Sequence, residues 1–248
     1  MSILAILILE ALSEAARERS LDDVRIGLRY VGVRLDDGSI GVSYNFRANT
    51  GCDEITFPGQ TSLKKRSAAD ILDWLISGNP INRSVALAVA NGLVGNGQAG
   101  SLRGDIRRIA RIEAGERVCM VGYFETIAKD LDEYCDLVIY DNNQKKNGKY
   151  ERKLSVEEGL SGCDVALISA TSLLNNTMDN LLDAAKNCRE IAILGPSTPL
   201  VPEAFVDTPV TLLSGIRTQN EEALRVISEG GGMKEFKPFV QKVNIRLK

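Results

Sequence analysis

The sequence contains no histidine. Histidine is the commonest general base and the commonest metal ligand, so catalytic triads and imidazole-ligated zinc or iron sites are excluded outright. There is also no CxxC pair. The five cysteines, Cys52, Cys119, Cys135, Cys163 and Cys188, are odd in number and dispersed, which points to reduced thiols in a cytoplasmic protein rather than to a disulfide framework. A basic excess is lacking too: the formal net charge is −3, against the basic face expected of a nucleic-acid binder. The one basic cluster, Arg103, Arg107, Arg108 and Arg111, falls on a predicted helix and reads as a solvated face. The apolar run at the N-terminus is too short to span a bilayer and has neither the basic start nor the cleavage site of a signal peptide. It continues through Arg17 as a helix with a broad buried face, expected to end near Leu21.

What is present is ordinary for a globular protein: 248 residues, 44% apolar and 25% charged, enough for one large domain or two small ones. The first part reads helix, strand, strand, helix, helix. Val24 to Leu35 is rich in β-branched and aromatic residues, Asp36-Asp37-Gly38 signals a turn, and Ile40 to Phe46 returns as the second strand of a hairpin. Ser67 is a good N-cap for a helix over 68–76, and Pro80 opens another reaching about Leu93. The flexible, polar stretch from Gly95 to Gly100 is the boundary expected between a domain over 1–99 and a second over 100–248.

After one more helix (Asp105 to Ile112) the pattern changes. Short apolar strands at 117–122, 137–141, 165–169, 191–195 and 210–214 alternate with helical stretches, clearest at 178–186 and 221–229. Buried strands alternating with helices predict an α/β fold with a doubly wound parallel sheet; residues 241–247 read as a last strand.

In such sheets ligands bind beyond the carboxyl ends of the strands, near the point where strand order reverses. That rule selects Gly122 to Glu125, Asp141-Asn142-Asn143, Ser169 to Ser172, Gly195 to Pro199, Ser214-Gly215, and Asn175-Asn176-Thr177 just before a helix. The first of these disfavours NAD. It has one glycine where a dinucleotide fingerprint has three, Tyr123 and Phe124 crowd the turn, and Glu125 places negative charge where a phosphate would sit. Asp141 lies where a ribose-binding acid would, and reads equally well as a polar strand end. In Gly195-Pro196-Ser197-Thr198-Pro199 two prolines bracket two hydroxyls. This suits either a rigid polar site or a tight turn. Asn176 and Thr177 read as ligand groups or as helix caps. Three cysteines precede strands and are expected at the opposite edge of the sheet, with Cys119 in the core. Cys52, in a loop of the first part, is the one thiol with a route to the site.

The segments Val121 to Phe124, Ile168 to Thr177 and Leu194 to Leu200 resemble the "Putative heavy-metal chelation" family, a domain of unknown function. Val24 to Tyr30 and Ala88 to Gly92 extend the resemblance over most of the chain. It implies an α+β domain like the N-terminal domain of enolase packed on a Rossmann-like domain, with a ligand site between them. Carried over by position, that site includes Asn91, Gly122, Tyr123, Phe124, Asn175, Thr177, Gly195, Pro196, Ser197, Thr198 and Gly215, to which the strand-tip rule adds Glu125, Asp141 and Thr171. The implied role is binding of a metal ion or a metal complex.

The residues themselves qualify the metal. Soft metals favour thiolate, thioether and imidazole. Direct soft ligation would therefore need Cys52 with oxygen donors, whereas oxygen donors alone suit magnesium, calcium or manganese. A third option is a metal complex gripped through its organic ligand. The alternative reading is an enzyme using a nucleotide-like cofactor such as S-adenosylmethionine, with Glu125, Asp141, Tyr123 or Cys52 in acid–base or nucleophilic roles. A small-molecule or metal ligand is the expected partner, with no nucleic acid and no membrane; a homodimer stays open.

Overall fold

In the computed structural model, residues 2–46, 62–95, 102–141 and 155–248 are described. Cys52, Asn142, Asn143 and the boundary stretch at 96–100 lie outside them. No helix among the described residues is long and apolar enough to cross a membrane.

The chain opens with α1 (Ile3–Arg17), which buries Leu4, Ala5, Ile8, Leu12 and Ala16 along one helical face. It stops at Arg17 rather than near Leu21, because Leu21 already begins β1 (Leu21–Ile26). The N-terminus of α1 is capped twice. Ser2 accepts from the Ala5 N–H, and the Asp179 carboxylate, far along the chain, takes the Ile3 and Leu4 N–H groups at 3.0 Å each.

The stretch expected as one strand from Val24 to Leu35 is two, β1 and β2 (Tyr30–Leu35). The chain reverses between them, and the Gly27 N–H donates to the Tyr30 carbonyl. With β3 (Ile40–Tyr44) they form an antiparallel meander in the order β1-β2-β3. The helix predicted over 68–76 is broken into α2 (Ala68–Leu72), capped by Ser67, and α3 (Trp74–Ser77). Then α4 (Pro80–Leu93) starts at Pro80, with the Asn79 side chain capping the Asn82 N–H. It lies so close to β3 that a Cβ on Gly41 would come within 1.9 Å of the Ala88 carbonyl oxygen.

The second sheet has six strands in the order β5-β4-β6-β7-β8-β9. Here β4 is Arg117–Val121, β5 Asp136–Tyr140, β6 Val165–Ser169, β7 Glu190–Leu194, β8 Leu212–Arg217 and β9 Gln241–Arg246. The first five are parallel and β9 is antiparallel to β8. The helix before them is α5 (Ile106–Ile109), and those between them are α6 (Glu125–Leu131), α7 (Val156–Ser161), α8 (Met178–Ala184), α9 (Glu222–Ser228) and α10 (Met233–Phe236). Two apolar layers cover the sheet. One contains Leu160, Leu181 and Leu182 of α7 and α8 together with α1 and α4. The other contains Ile106, Ala128 and Leu131 of α5 and α6. This is a Rossmann-like, doubly wound sheet preceded by a small α+β layer. The order reverses between β4 and β6, so the switch point lies over their carboxyl ends.

Two boundaries differ from the sequence reading for physical reasons. The helix expected over 105–112 is only one turn, ending where Arg111 takes a positive φ of 49°. The strand expected to stop at Ser214 runs on to Arg217, because antiparallel pairing with β9 continues through Ile216–Lys242 and Arg217–Gln241.

Candidate functional site

At the switch point, Gly122 leaves β4 with φ 88° and donates its N–H to the Tyr140 carbonyl at 2.7 Å. A Cβ here would sit 2.8 Å from that of Ser169, so the tips of β4 and β6 touch through a missing side chain. Ser169 ends β6, and its hydroxyl shares a 2.8 Å hydrogen bond with that of Thr171. Gly195 leaves β7 with φ 114° and donates to the Ser214 carbonyl. The Phe124 ring reaches both glycines, lying 3.9 Å from a Cβ built on Gly122 and 3.7 Å from one built on Gly195. The ring is half-buried, packed with Tyr123 against the core layer of α5 and α6.

Gly195 to Thr198 is a tight turn closed by the Thr198 N–H to the Gly195 carbonyl. Ser197 and Thr198 are buried, at 1% and 0% exposure, so their hydroxyls serve the protein first. Thr198 donates to the Ser214 carbonyl at 3.0 Å, and the Ser197 hydroxyl accepts the Tyr44 N–H of β3 at 2.7 Å. Pro196 is half-buried at the turn's crest. Gly215 completes the group: a Cβ on it would lie 3.2 Å from Thr198 and from Leu200.

The remaining candidates are placed differently. Glu125 begins α6, exposed and paired with Lys129 at 2.8 Å. Asp141 follows β5, half-buried, and is engaged in an interaction of its own. Asn175 and Thr177 bond each other, the Thr177 hydroxyl donating to Asn175 Oδ1 at 2.7 Å; Thr177 stands at the N-cap of α8 without a side-chain cap bond. Asn91 lies on α4, where its amide donates to the Val42 carbonyl while its Oδ1 is buried and unpartnered. Among the described residues no hydrogen bond joins Asn91 to a strand tip.

Several residues that hold this region together carried no sequence signal. The Tyr44 backbone N–H ties β3 to Ser197. Arg83 of α4 donates to the Leu174 carbonyl at 2.8 Å, anchoring the segment after β6. Burial lowers the Arg83 pKa from its ordinary value. A β-bridge links Ile40 to Thr218. All three contacts are long-range in the chain, and no local pattern announces them.

The thiols among the described residues lie elsewhere, as their positions before or within strands suggest. Cys163 and Cys188 touch at 3.3 Å between sulfurs, buried under α7, with the Leu160 carbonyl within reach of both. Cys119 in β4 donates to the Gly159 carbonyl. Hydrogen bonding to Cys163 and burial push the Cys119 and Cys188 thiols up; Cys163, receiving those bonds, is held below its ordinary value. Burial pushes Cys135 up to about 11. Among the described residues no group of three or more Cys, Asp or Glu side chains is arranged to hold a metal ion.

Comparison with known proteins decides the family. Two family models, both described as "Putative heavy-metal chelation", match residues 105–246 and 9–94. The chain belongs to this family. Crystal structures of two members, both of unknown function, share its fold. The Pyrococcus horikoshii protein has a TM-score of 0.84 at 24% identity, covering 98% of this chain and 99% of its own. The Desulfitobacterium hafniense DCB-2 protein has a TM-score of 0.81 at 23% identity, covering 98% of each. An uncharacterised protein of Methanocaldococcus jannaschii is 37% identical over 54 residues, which span 22% of this chain and 21% of that relative.

Proposed function

We propose that this member of the heavy-metal chelation family binds a metal-containing small molecule at the strand tips and grips it through its organic periphery. One observation carries this reading: the Phe124 ring lies half-buried across two side-chain-free positions, Gly122 and Gly195, beside the Ser169–Thr171 hydroxyl pair. A flat apolar surface flanked by glycines and rimmed with hydroxyls suits stacking of a planar organic ligand, with polar groups to orient it. The donor set supports the same choice. The oxygens beside the Phe124 ring, those of Ser169 and Thr171, are neutral hydroxyls, the Glu125 carboxylate is paired with Lys129, and no soft-metal ligand lies among the described tip residues. The single glycine and the Phe124 ring leave little room for a pyrophosphate, so a nucleotide-like cofactor is the less favoured occupant. Asn91, Asn175 and Thr177 act in this reading by shaping the surrounding segments.

Thermal-shift measurements test this with free divalent cations and with iron and cobalt complexes of planar nitrogen-ring ligands. Complexes are expected to raise the melting temperature where free ions do not, and Phe124→Ala to weaken the response while Phe124→Tyr keeps it. An equal response to free ions, or one indifferent to Phe124→Ala, contradicts the proposal.

A further inference from the structure

At the carboxyl end of β8, Arg217 stands apart from the other well-packed arginines. Its Nε and Nη2 are both buried and neither has a hydrogen-bond partner. Elsewhere in this molecule the same pair of nitrogens forms a fork on a carboxylate. Arg34 places Nε and Nη2 on Asp22 at 2.9 and 2.6 Å, and Arg189 places them on Glu116 at 2.6 and 2.5 Å. Arg117 also buries an Nε without a hydrogen bond, but it faces Asp136 at 3.9 Å. Arg217 has no carboxylate within ion-pair distance among the described residues.

The side chain lines a concavity of about 260 Å³, together with Thr218, Gln219, Asn220, Phe239 and Gln241. No acidic residue lines it. The Gln219 and Gln241 amides make no hydrogen bond among the described residues, and both residues are exposed at its rim. Burial lowers the Arg217 pKa from its ordinary value, as expected of a charge stripped of water without compensation.

We infer that this concavity is a binding site for a small oxyanion, a carboxylate or a phosphate monoester group, held by the Arg217 fork. A guanidinium fork matches the paired oxygens of either group, and the two glutamine amides supply further donors at the rim. Binding requires a turn about the outer side-chain torsions that brings Nε and Nη2 from their buried positions to the concavity. The volume suits a small acid rather than a nucleotide. This site does not depend on the reading of the strand tips: Arg217 lies beyond Gly215, at the outer edge of the sheet beside β9.

The test uses the full chain with inorganic phosphate and with malonate as probes, followed by calorimetric titration and melting temperature at constant ionic strength. Saturable binding of at least one probe is expected; which one binds identifies the phosphate or the carboxylate source. Arg217→Gln should weaken that binding about ten- to a hundredfold. Without probe, Arg217→Gln should melt at the same temperature as the parent or higher, because it removes an uncompensated buried charge. Binding of neither probe, unchanged affinity in Arg217→Gln, or a lower melting temperature of the probe-free variant would overturn the assignment.

Discussion

Gly122 makes the tightest local demand at the strand tips. Its φ of 88° is disfavoured for any residue with a side chain, and a Cβ would meet that of Ser169 at 2.8 Å. Gly122→Ala is therefore expected to destabilise the protein by about 1–3 kcal/mol, read from urea unfolding. A second residue-scale expectation concerns Glu116. Its bidentate bond to Arg189, and then the Glu113 N–H it accepts, hold the carboxyl below its ordinary value of 4.5. A depressed carboxyl stabilises the fold fully above that ordinary value. The contribution is lost as pH falls from there through the lower folded value. Arg189 is 40% exposed, so solvent screening limits the pair to about 1 kcal/mol. Glu116→Gln should cost that much at pH 7 and flatten the acid limb of the stability–pH curve; an unchanged acid limb would refute the pairing. At this scale sequence reasoning located Ser197 and Thr198 but not their duties. Their partners come from Tyr44 and Ser214, and the first is 153 positions away.

Between elements, the decisive contact is β3 against α4. Gly41 admits the helix so closely that an added Cβ would fall 1.9 Å from the Ala88 carbonyl and 2.2 Å from the Gly92 nitrogen. Both are backbone atoms that cannot turn aside, so Gly41→Ala should cost about 3 kcal/mol or more in chemical denaturation. A loss below 1 kcal/mol would mean that the layers are less tightly joined than described. Elements with strong local signals were legible in the sequence: Pro80 fixed the start of α4, and the apolar run at Val165 to Ser169 is β6 without a shift. Elements governed by distant partners were not. The reversal near Gly27 splits an apparently continuous strand, and β8 is lengthened by pairing with β9, which hid Arg217 beyond the expected strand end.

Across the whole molecule, the two sheets share one apolar cluster. Val31 and Val33 of β2 and Leu87 of α4 belong to the same buried group as Ile168 of β6 and Phe205. The Asp179 cap on α1, the Arg83 bond to Leu174 and the Tyr44 bond to Ser197 add polar ties across it. Unfolding should accordingly be a single cooperative transition, with near-ultraviolet and far-ultraviolet signals coincident; two separated transitions would contradict a shared core. The sequence pattern indicated both the parallel sheet and the small layer before it. It had no means of specifying their common core, because packing between distant segments leaves no periodic trace. The central claim, a metal-containing small molecule held over Phe124, is tested most directly by native mass spectrometry of untagged protein, coupled to elemental analysis. The account predicts an added mass that contains a metal, is released on unfolding and is diminished in Phe124→Ala. A co-purified metal that persists in Phe124→Ala, or a metal-free mass on the native protein, would contradict it.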